Sequence, residues 1–544
     1  MINVFVQHPE ASGISGFAIS KGTPGLRQGP EALTMGMRGM VQNTVYLEGV
    51  PVSAAQLLGQ PGQGMAVAQD AMMYGRLAIA SACIGGMKRC AQLMLRYSSR
   101  RTVSTGRLLD NPVTLSRLGG LTAQIEALSA LVGWIAQRLD EGEAVPPEAY
   151  TACKILAPEF YWQATDDLVQ CLGGRGYIET NLAPQMLRDA RVLRIFEGPT
   201  ETLAMHLGAQ IFNPRSGLKS FLSQELAAPE LAERLFAVAA DILARFQHSQ
   251  DAIMARRWAY LAVGELGAIA LLLAIQQSTA TASPRALEWT QLYFEQKLAQ
   301  ALQPTPNEAV TASAHATAEW VTSYTDTIGD IEQTLVGADH DLDTLLKRDS
   351  DRRVHSRSNA PPPVLHEGLL ASNAGGTGIS KSPSIDGFRG LEDNGKGNEV
   401  TKERTQTPTA KSLEQWLVQW LAQHLKLSAS AMDTHKAFAD YGVDSIMAVE
   451  LAQDLEAFLH LDRPLDATLA WNFPTIAALA AHLATHASSQ NSRRLGETEW
   501  NPTDPASLGA ADALPNLQGL DDLSEVEMAD ALAAELATLQ GRGA

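Results

Sequence analysis

Apolar and polar positions change rhythm several times along this chain. Over residues 1 to about 65, short apolar runs such as SGFAIS and TVYLEGV alternate with Gly/Pro clusters, KGTPG and GQPGQG. That pattern predicts short paired strands. From about Gly64 to Gly208, apolar residues recur at intervals of three and four, as in AVAQDAMMYGRLAIASACIGGMKRCAQLMLRY. This is the period of helices with one buried face. Residues 217 to 345 keep the helical rhythm and are rich in Ala and Leu. The most apolar run, Tyr260 to Gln277, is barely long enough to span a bilayer and carries Glu265 near its centre. It predicts a buried helix and no membrane span.

The rhythm then breaks. Residues 350 to 408 (SRSNAPPPV, SNAGGTGISKSPSIDG, NGKGNEVTKERTQTPT) hold too few apolar residues to bury a core, which predicts a flexible linker. A compact helical unit follows over about 409 to 487, then a second polar linker. The chain ends in an acidic amphipathic segment, LDDLSEVEMADALAAELATLQ, with Leu520, Leu523, Met528, Leu532 and Leu536 near one helical face. An isolated helix of that length is marginal in water, which fits folding on binding. The segments expected are 1–65, 66–212, 213–345, 346–408, 409–487, 488–515 and 516–544. The fold class expected is mainly α: a partial β domain, a helical bundle, then a small helical bundle on flexible linkers.

Composition narrows the picture modestly. The formal net charge is −18 over 544 residues, which argues against nucleic acid as a partner, since phosphate needs a basic face. The four cysteines, Cys83, Cys90, Cys153 and Cys171, show no CxxC spacing and no Cys/His cluster. Buried free thiols in a reducing cytosol are the expectation, with no metal site. MINVFVQHPEASG lacks a basic region followed by an apolar one, so no signal peptide is expected and the location predicted is cytoplasmic.

The strongest local signal is FADYGVDSIMAVELAQDLEAFL. Asp444-Ser445 stands where a turn gives way to a periodic apolar helix, placing the Ser445 hydroxyl at a helix N-terminus. By itself such a serine is an ordinary N-cap. The free N–H groups and positive dipole end there also suit a phosphodiester. Glu450, Asp454 and Glu456 are expected to face outward as an acidic surface for a basic partner enzyme. The unit, with SLEQWLVQWLAQHL before it and WNFPTIAALAAHLA after it, resembles the acyl carrier protein family. Trp471 to Ile476 looks like the element that opens the last helix of polyketide-synthase carriers. The resemblance implies that Ser445 receives 4′-phosphopantetheine from a phosphopantetheinyl transferase and that the arm's thiol carries an acyl thioester. The tail LSEVEMADALAAEL is similar to docking tails that follow carriers in modular polyketide synthases, implying a downstream synthase protein as partner.

A second signal runs from Gln170 to Phe212, QCLGGRGYIETNLAPQMLRDARVLRIFEGPTETLAMHLGAQIF. A Gly-rich turn allows close backbone approach to a ligand. Alone, Glu197 reads equally as a salt-bridged carboxylate at a helix start. The order of features resembles the acyl-CoA dehydrogenase family, whose pattern runs QxxGGxGY, RDxR, IYEGT. MGMRG, VYLEGVPV, LLGQPGQGMAVAQ and YGRLAIASACIGG resemble upstream parts of the same family, so the match covers about residues 1 to 212. The implied chemistry is flavin-dependent α,β-dehydrogenation of an acyl thioester. A carboxylate removes the α-proton while hydrogen bonds to the thioester carbonyl stabilise the enolate-like charge. Glu197 matches the base of one branch. Another branch keeps its base just before the Arg of the YGR helix, where Gly75 stands here. A base at either place works from a dry pocket. Arg101, Gln170, Gly173, Gly174, Thr200 and Glu201 match FAD-contacting positions, some of them reaching across a subunit interface, so a homo-oligomer is expected.

The chain departs from the pattern at Ser104, Thr105, Pro112 and Pro199. By the resemblance it also begins inside the β domain, with FAD binding expected to be weak or absent in this polypeptide alone. Two readings therefore stand: a dehydrogenase that oxidises the acyl group on its own carrier, in polyketide or lipopeptide biosynthesis, or a carrier attached to a flavin-free scaffold.

Overall fold

Turn chemistry sets where the long helices start and stop. The computed structural model describes residues 1–7, 13–246, 252–280, 282–303, 314–329, 409–459, 461, 465–466 and 468–492. The two polar linkers and the acidic tail of the sequence analysis lie outside these residues, or nearly so. At the N-terminus, β1 (Ile2–Gln7), β2 (Ile14–Ile19) and β5 (Leu57–Leu58) form an antiparallel sheet in the order β1-β2-β5. A hairpin pairs β3 (Leu26–Glu31) with β4 (Asn43–Leu47).

Helix α1 (Gly64–Arg100) leaves the GQPGQG turn and runs 37 residues. Helix α2 (Pro112–Asp140) starts with proline at its first position, and the Asn111 side chain accepts from Val113 N at 2.9 Å. Both are favoured helix starts, because proline loses only an N–H that has no helical partner and asparagine satisfies another. Helix α3 (Pro147–Leu172) is buried along most of its first half, from Ala149 to Pro158. It packs with α1 and α2 around Cys83, Met87, Leu128, Leu131 and Leu168. Helices α4 (Leu182–Leu193) and α5 (Thr200–Phe212) follow. Then come α6 (Pro229–Phe246), α7 (Ala252–Ser278) and α8 (Pro284–Ala301). The apolar run seen in the sequence lies in α7, where Val263, Leu266 and Ala268 to Ile275 are all buried. By length and composition alone both α2 and α7 could cross a membrane, but 78% of the apolar window of α7 is buried inside the protein.

Helices α5 and α7 cross with their backbones in contact. A β-carbon at Gly208 would stand 1.9 Å from the Tyr260 carbonyl oxygen, and one at Gly264 would stand 1.7 Å from the Ala204 carbonyl oxygen. Only glycine fits at either place.

Residues 409 to 492 form a smaller bundle among the described residues. Helices α9 (Ala410–Leu425), α10 (Ser445–Leu459) and α11 (Ile476–Ser492) surround Leu413, Leu417, Leu421, Phe438, Met447, Leu451, Leu455, Ile476 and Leu479. The loop before α10 is tied to the start of α11 by Phe438 N donating to Pro474 O at 2.7 Å and Ala477 N donating to Thr434 O at 3.0 Å.

The α5–α7 crossing yields a prediction. Gly264→Ala forces the helices apart and should cost at least 1–3 kcal/mol, as overpacking does, lowering the thermal midpoint of the full chain. Gly119→Ala is the control, since its β-carbon would meet nothing closer than Arg285 at 3.7 Å. Equal midpoints for both variants would contradict the crossing.

Candidate active site and carrier attachment site

The turn between α4 and α5 places Glu197. Thr200 N donates to Arg194 O at 3.2 Å, closing the turn. Arg194 Nε in turn donates to Glu159 on α3 at 2.7 Å. Glu197 itself has φ of 58°, a left-handed conformation that non-glycine residues adopt only under constraint. Part of that constraint comes from Lys154 of α3, which is fully buried and donates from Nζ to Gly198 O at 3.1 Å.

The Glu197 side chain lies against α1. A β-carbon at Gly75 would stand 3.2 Å from one carboxylate oxygen and 3.3 Å from the other. The two candidate base positions, far apart in sequence, therefore meet at one point in space. A side chain at 75 would displace the carboxylate of 197.

Around this point the charge is mostly positive. Arg76 donates from Nη1 to Thr151 Oγ1 at 3.3 Å. Burial pushes the Arg76 guanidinium below its ordinary range, with Glu197 opposing that shift. Burial, then the nearby Arg76 charge, pushes Lys154 down to about 8. His206, one helical turn or so into α5, is pushed down to about 4 by burial and by Arg76, so it is neutral near pH 7. Glu197 Oε2, Thr200 Oγ1 and Arg76 Nε are buried with no hydrogen-bond partner among the described residues. Each such atom costs about 1–3 kcal/mol if left unpaired, and three together make a polar site that water or a bound ligand would satisfy.

Sequence reasoning missed Arg76, Lys154 and His206. Lys154 did leave a signal: a lone cation in the apolar stretch ACKILA. Arg76 carries no such signal beyond standing next to Gly75.

The RDxR motif has a structural task. Asp189 Oδ1 accepts from Met37 N at 2.6 Å. Arg188 pairs with Glu179 at 2.5 and 2.8 Å. A β-carbon at Gly36 would stand 2.4 Å from Arg188 O, so the 34–37 loop sits directly on α4. An apolar cleft of about 400 Å³ opens there, lined by Met35, Met37, Met40, Ile195 and Phe196 among others, up to the residue before Glu197.

Arg101 caps the end of α1 beside a short hairpin, Thr102–Val103 with Gly106–Arg107. It lines a cleft of about 460 Å³ with Arg96, Arg100, Leu172 and Arg175. Leu172 and Arg175 flank Gly173 and Gly174. Those two glycines are exposed, and a β-carbon on either would meet nothing within 4 Å. Gly173 has φ of 60° and ψ of −139°, which a side chain would resist. Gln170 and Glu201 are exposed and line neither cleft. Thr200 lies with Glu197 and not with Arg101.

In the smaller bundle Ser445 opens α10, capped by Asp444, whose Oδ1 accepts from Met447 N at 2.8 Å. The acidic face expected to meet solvent is instead covered, in part by arginines from elsewhere in the chain. Glu450 is fully buried and pairs with Arg257 at 3.2 Å. Asp454 accepts from Trp420 Nε1 at 2.8 Å and meets Arg256 at 3.5 Å. Glu456 accepts from Leu465 N at 2.7 Å, inside its own bundle. A helical projection shows which residues share a face, but not what covers that face.

Comparison with known proteins matches both regions. Residues 62–212 fit the family model "Acyl-CoA dehydrogenase, C-terminal domain", and residues 415–483 fit "Phosphopantetheine attachment site". Part of the chain is an acyl-CoA dehydrogenase C-terminal domain, and part is a phosphopantetheine carrier domain. Cyclohex-1-ene-1-carbonyl-CoA dehydrogenase of Geobacter metallireducens is 29% identical over 206 residues, 38% of this chain and 54% of that protein. The human mitochondrial very long-chain specific acyl-CoA dehydrogenase is 25% identical over 197 residues, 36% of this chain and 30% of that protein. Butyryl-CoA dehydrogenase from Megasphaera elsdenii aligns with a TM-score of 0.37 at 26% identity, covering 39% of this chain and 55% of that structure. The chain thus spans about half, or less, of the curated relatives it matches.

The dehydrogenase domain's residues fit part of a flavin dinucleotide. The cleft of Arg96, Arg100, Arg101 and Arg175 offers guanidinium donors suited to a pyrophosphate. The orphaned Thr200 hydroxyl and Glu197 carboxylate fit the reacting end.

The carrier domain implies a phosphopantetheinyl transferase and an acyl thioester. Incubation with a broad transferase and coenzyme A should add one arm per chain by intact mass, and Ser445→Ala should abolish the addition. An arm retained by the Ala variant would refute the assignment.

Lys154 generates a prediction in pH. Its lowered value in the folded state means the unfolded chain binds more protons between about 8 and its ordinary range near 10.5. Its contribution to stability therefore rises with pH across that window and is least favourable below it. Relative to Lys154→Met, the wild-type unfolding midpoint should climb between pH 8 and 10. A difference that does not change with pH would mean the ammonium is not buried as described.

Proposed function

We propose that this chain supplies the catalytic base and the substrate carrier of a flavin-dependent acyl-thioester dehydrogenase. The acyl group rides on the Ser445 arm and is oxidised to the α,β-enoyl thioester, in polyketide or lipopeptide assembly. One observation carries the reading: the Glu197 carboxylate, held over Gly75, keeps a buried oxygen with no partner. With no competing hydrogen bond among the described residues, that oxygen is available to take a proton from a ligand brought to it.

The α-proton of a thioester is too weakly acidic for a carboxylate in water. Abstraction requires that charge developing on the thioester carbonyl be met by fixed donors in a dry site. Lys154, fully buried, and Arg76, half-buried, place two cations beside Glu197. Lys154 also anchors the Gly198 carbonyl, fixing the turn from which Glu197 projects. Flavin, when bound, supplies the acceptor for the β-hydride. Arg101, with Arg96, Arg100 and Arg175, would hold its pyrophosphate, and Thr200 would lie at the reacting end.

Fusion to the carrier raises the local concentration of the acyl group, which favours carrier-bound substrate over free acyl-CoA. Exposed apolar residues, including Leu33, Met35, Val41, Tyr177 and Ile195, support further contacts, and we assign them to a second copy in a homo-oligomer. The acidic tail, outside the described residues, would engage a downstream synthase protein. The three buried free thiols among the described residues suit a reducing cytoplasm.

Glu197→Gln is the test, made in the full protein with flavin and with any further segment that flavin binding needs. The near-isosteric amide should leave flavin absorbance and acyl loading intact. Enoyl formation should fall about 10²–10⁴-fold, the usual loss on removing a positioned base. An unchanged rate would remove Glu197 from the role. A completed assembly that never holds flavin would favour the scaffold reading.

A further inference from the structure

Helix α10 of the carrier rests on the surface made by α5 and α7. Val449 is buried against Ala209 and Tyr260, with Met205 and Phe212 beside them. Gln453 Nε2 donates to the Ala209 carbonyl at 3.0 Å, and the Tyr260 hydroxyl donates to Gln453 Oε1 at 3.4 Å. Three ion pairs ring this centre: Arg257 with Glu450 at 3.2 Å, Arg256 with Asp454 at 3.5 Å, and Arg215 with Glu456 at 3.6 Å. Such a small apolar centre rimmed by complementary charge is the anatomy of a recognition surface.

The register carries direction. Val449 packs at Ala209, in a cluster that Met205 and Phe212 flank on either side, Gln453 bonds Ala209, and Glu456 reaches Arg215, beyond the end of α5. Helix α10 therefore runs alongside α5 in the same sense, and its Ser445 end points toward the start of α5. That start, Thr200, is three residues from Glu197. From Ala209 back to Thr200 is about 14 Å of helix at 1.5 Å per residue, and Ser445 stands about 6 Å before Val449 along α10, which leaves about 8 Å of axial distance for a flexible arm.

The contact is built to be weak. Glu450 Oε1 and Arg257 Nε are buried without a hydrogen-bond partner among the described residues. Desolvating such a pair offsets most of its Coulomb attraction. The other two pairs are long. A permanent interface would not leave these groups unpaired, whereas a tethered one needs little affinity because the connection supplies concentration.

We propose that the α5–α7 face, centred on Ala209, Tyr260 and Arg257, is a reversible cis docking site for the carrier of the same chain, oriented so that the Ser445 arm is delivered toward Glu197. This deepens the function proposed above and rests on it only for the arm's destination. Undocking frees the same face of α10 for the transferase and for later partners.

The test is a cross-link in the full chain bearing Ala209→Cys and Val449→Cys. Mild oxidation, or a short bis-maleimide, should give a thiol-linked species that runs faster than the open chain but at monomer mass on a denaturing gel. Each single variant sets the background, and arm loading at Ser445 verifies that the carrier is folded. Adding Arg257→Glu should cut the yield several-fold, and adding Glu450→Arg to that variant should restore it. No yield above background overturns the docking site. A cross-link found only at dimer mass overturns the cis assignment. Neither result depends on flavin or turnover, so docking and dehydrogenation fail separately: a cross-linked chain whose Glu197→Gln variant is fully active keeps the dock and loses the base.

Discussion

The backbone-to-backbone crossing of α5 and α7 is the constraint on which the rest of the molecule leans. With Gly208 and Gly264 at the crossing, the two helices approach as closely as peptide groups allow. That closeness fixes the position of α5 within the helical core. The turn carrying Glu197 leads directly into α5, so the same crossing sets where the carboxylate projects. It also brings Ala209 of α5 beside Tyr260 of α7, which together with Arg256 and Arg257 form the surface on which α10 lies. One steric fact thus positions both the candidate base and the place where its substrate carrier rests.

Around Glu197 the protein concentrates strain and uncompensated polarity. A left-handed non-glycine residue, a fully buried lysine, a half-buried arginine and three orphaned polar atoms lie in one region. Each is unfavourable for folding alone, and the surrounding helices of the dehydrogenase domain hold them. Such local conflicts are expected where a site has been shaped for a ligand and not for stability. The conflict between Glu450 and Arg257 is of the same kind at smaller scale: a charged contact that is specific without being strong.

Much of this could be read from the chain itself. The change from strand-like to helical rhythm near Gly64, the buried apolar helix around Tyr260 to Gln277, and the start of a helix at Ser445 are all local in origin. They arise from side-chain periodicity and turn residues, which act over a few positions. The attachment serine and the candidate base were legible because each sits in a run of residues whose order is itself informative.

What the sequence by itself determined was the identity and order of these elements. What only the tertiary structure decided was which of them meet. Gly75 and Glu197 occupy one point because α1 and the α4–α5 turn are packed together, and no periodicity states that. Lys154 and Arg76 became neighbours of the carboxylate for the same reason. Glu450, Asp454 and Glu456 look solvent-facing on a helical wheel, since a wheel describes one helix in isolation. Their arginine partners come from residues 215 to 257, far away along the chain, and long-range pairing of this kind depends on burial and packing rather than on local propensity.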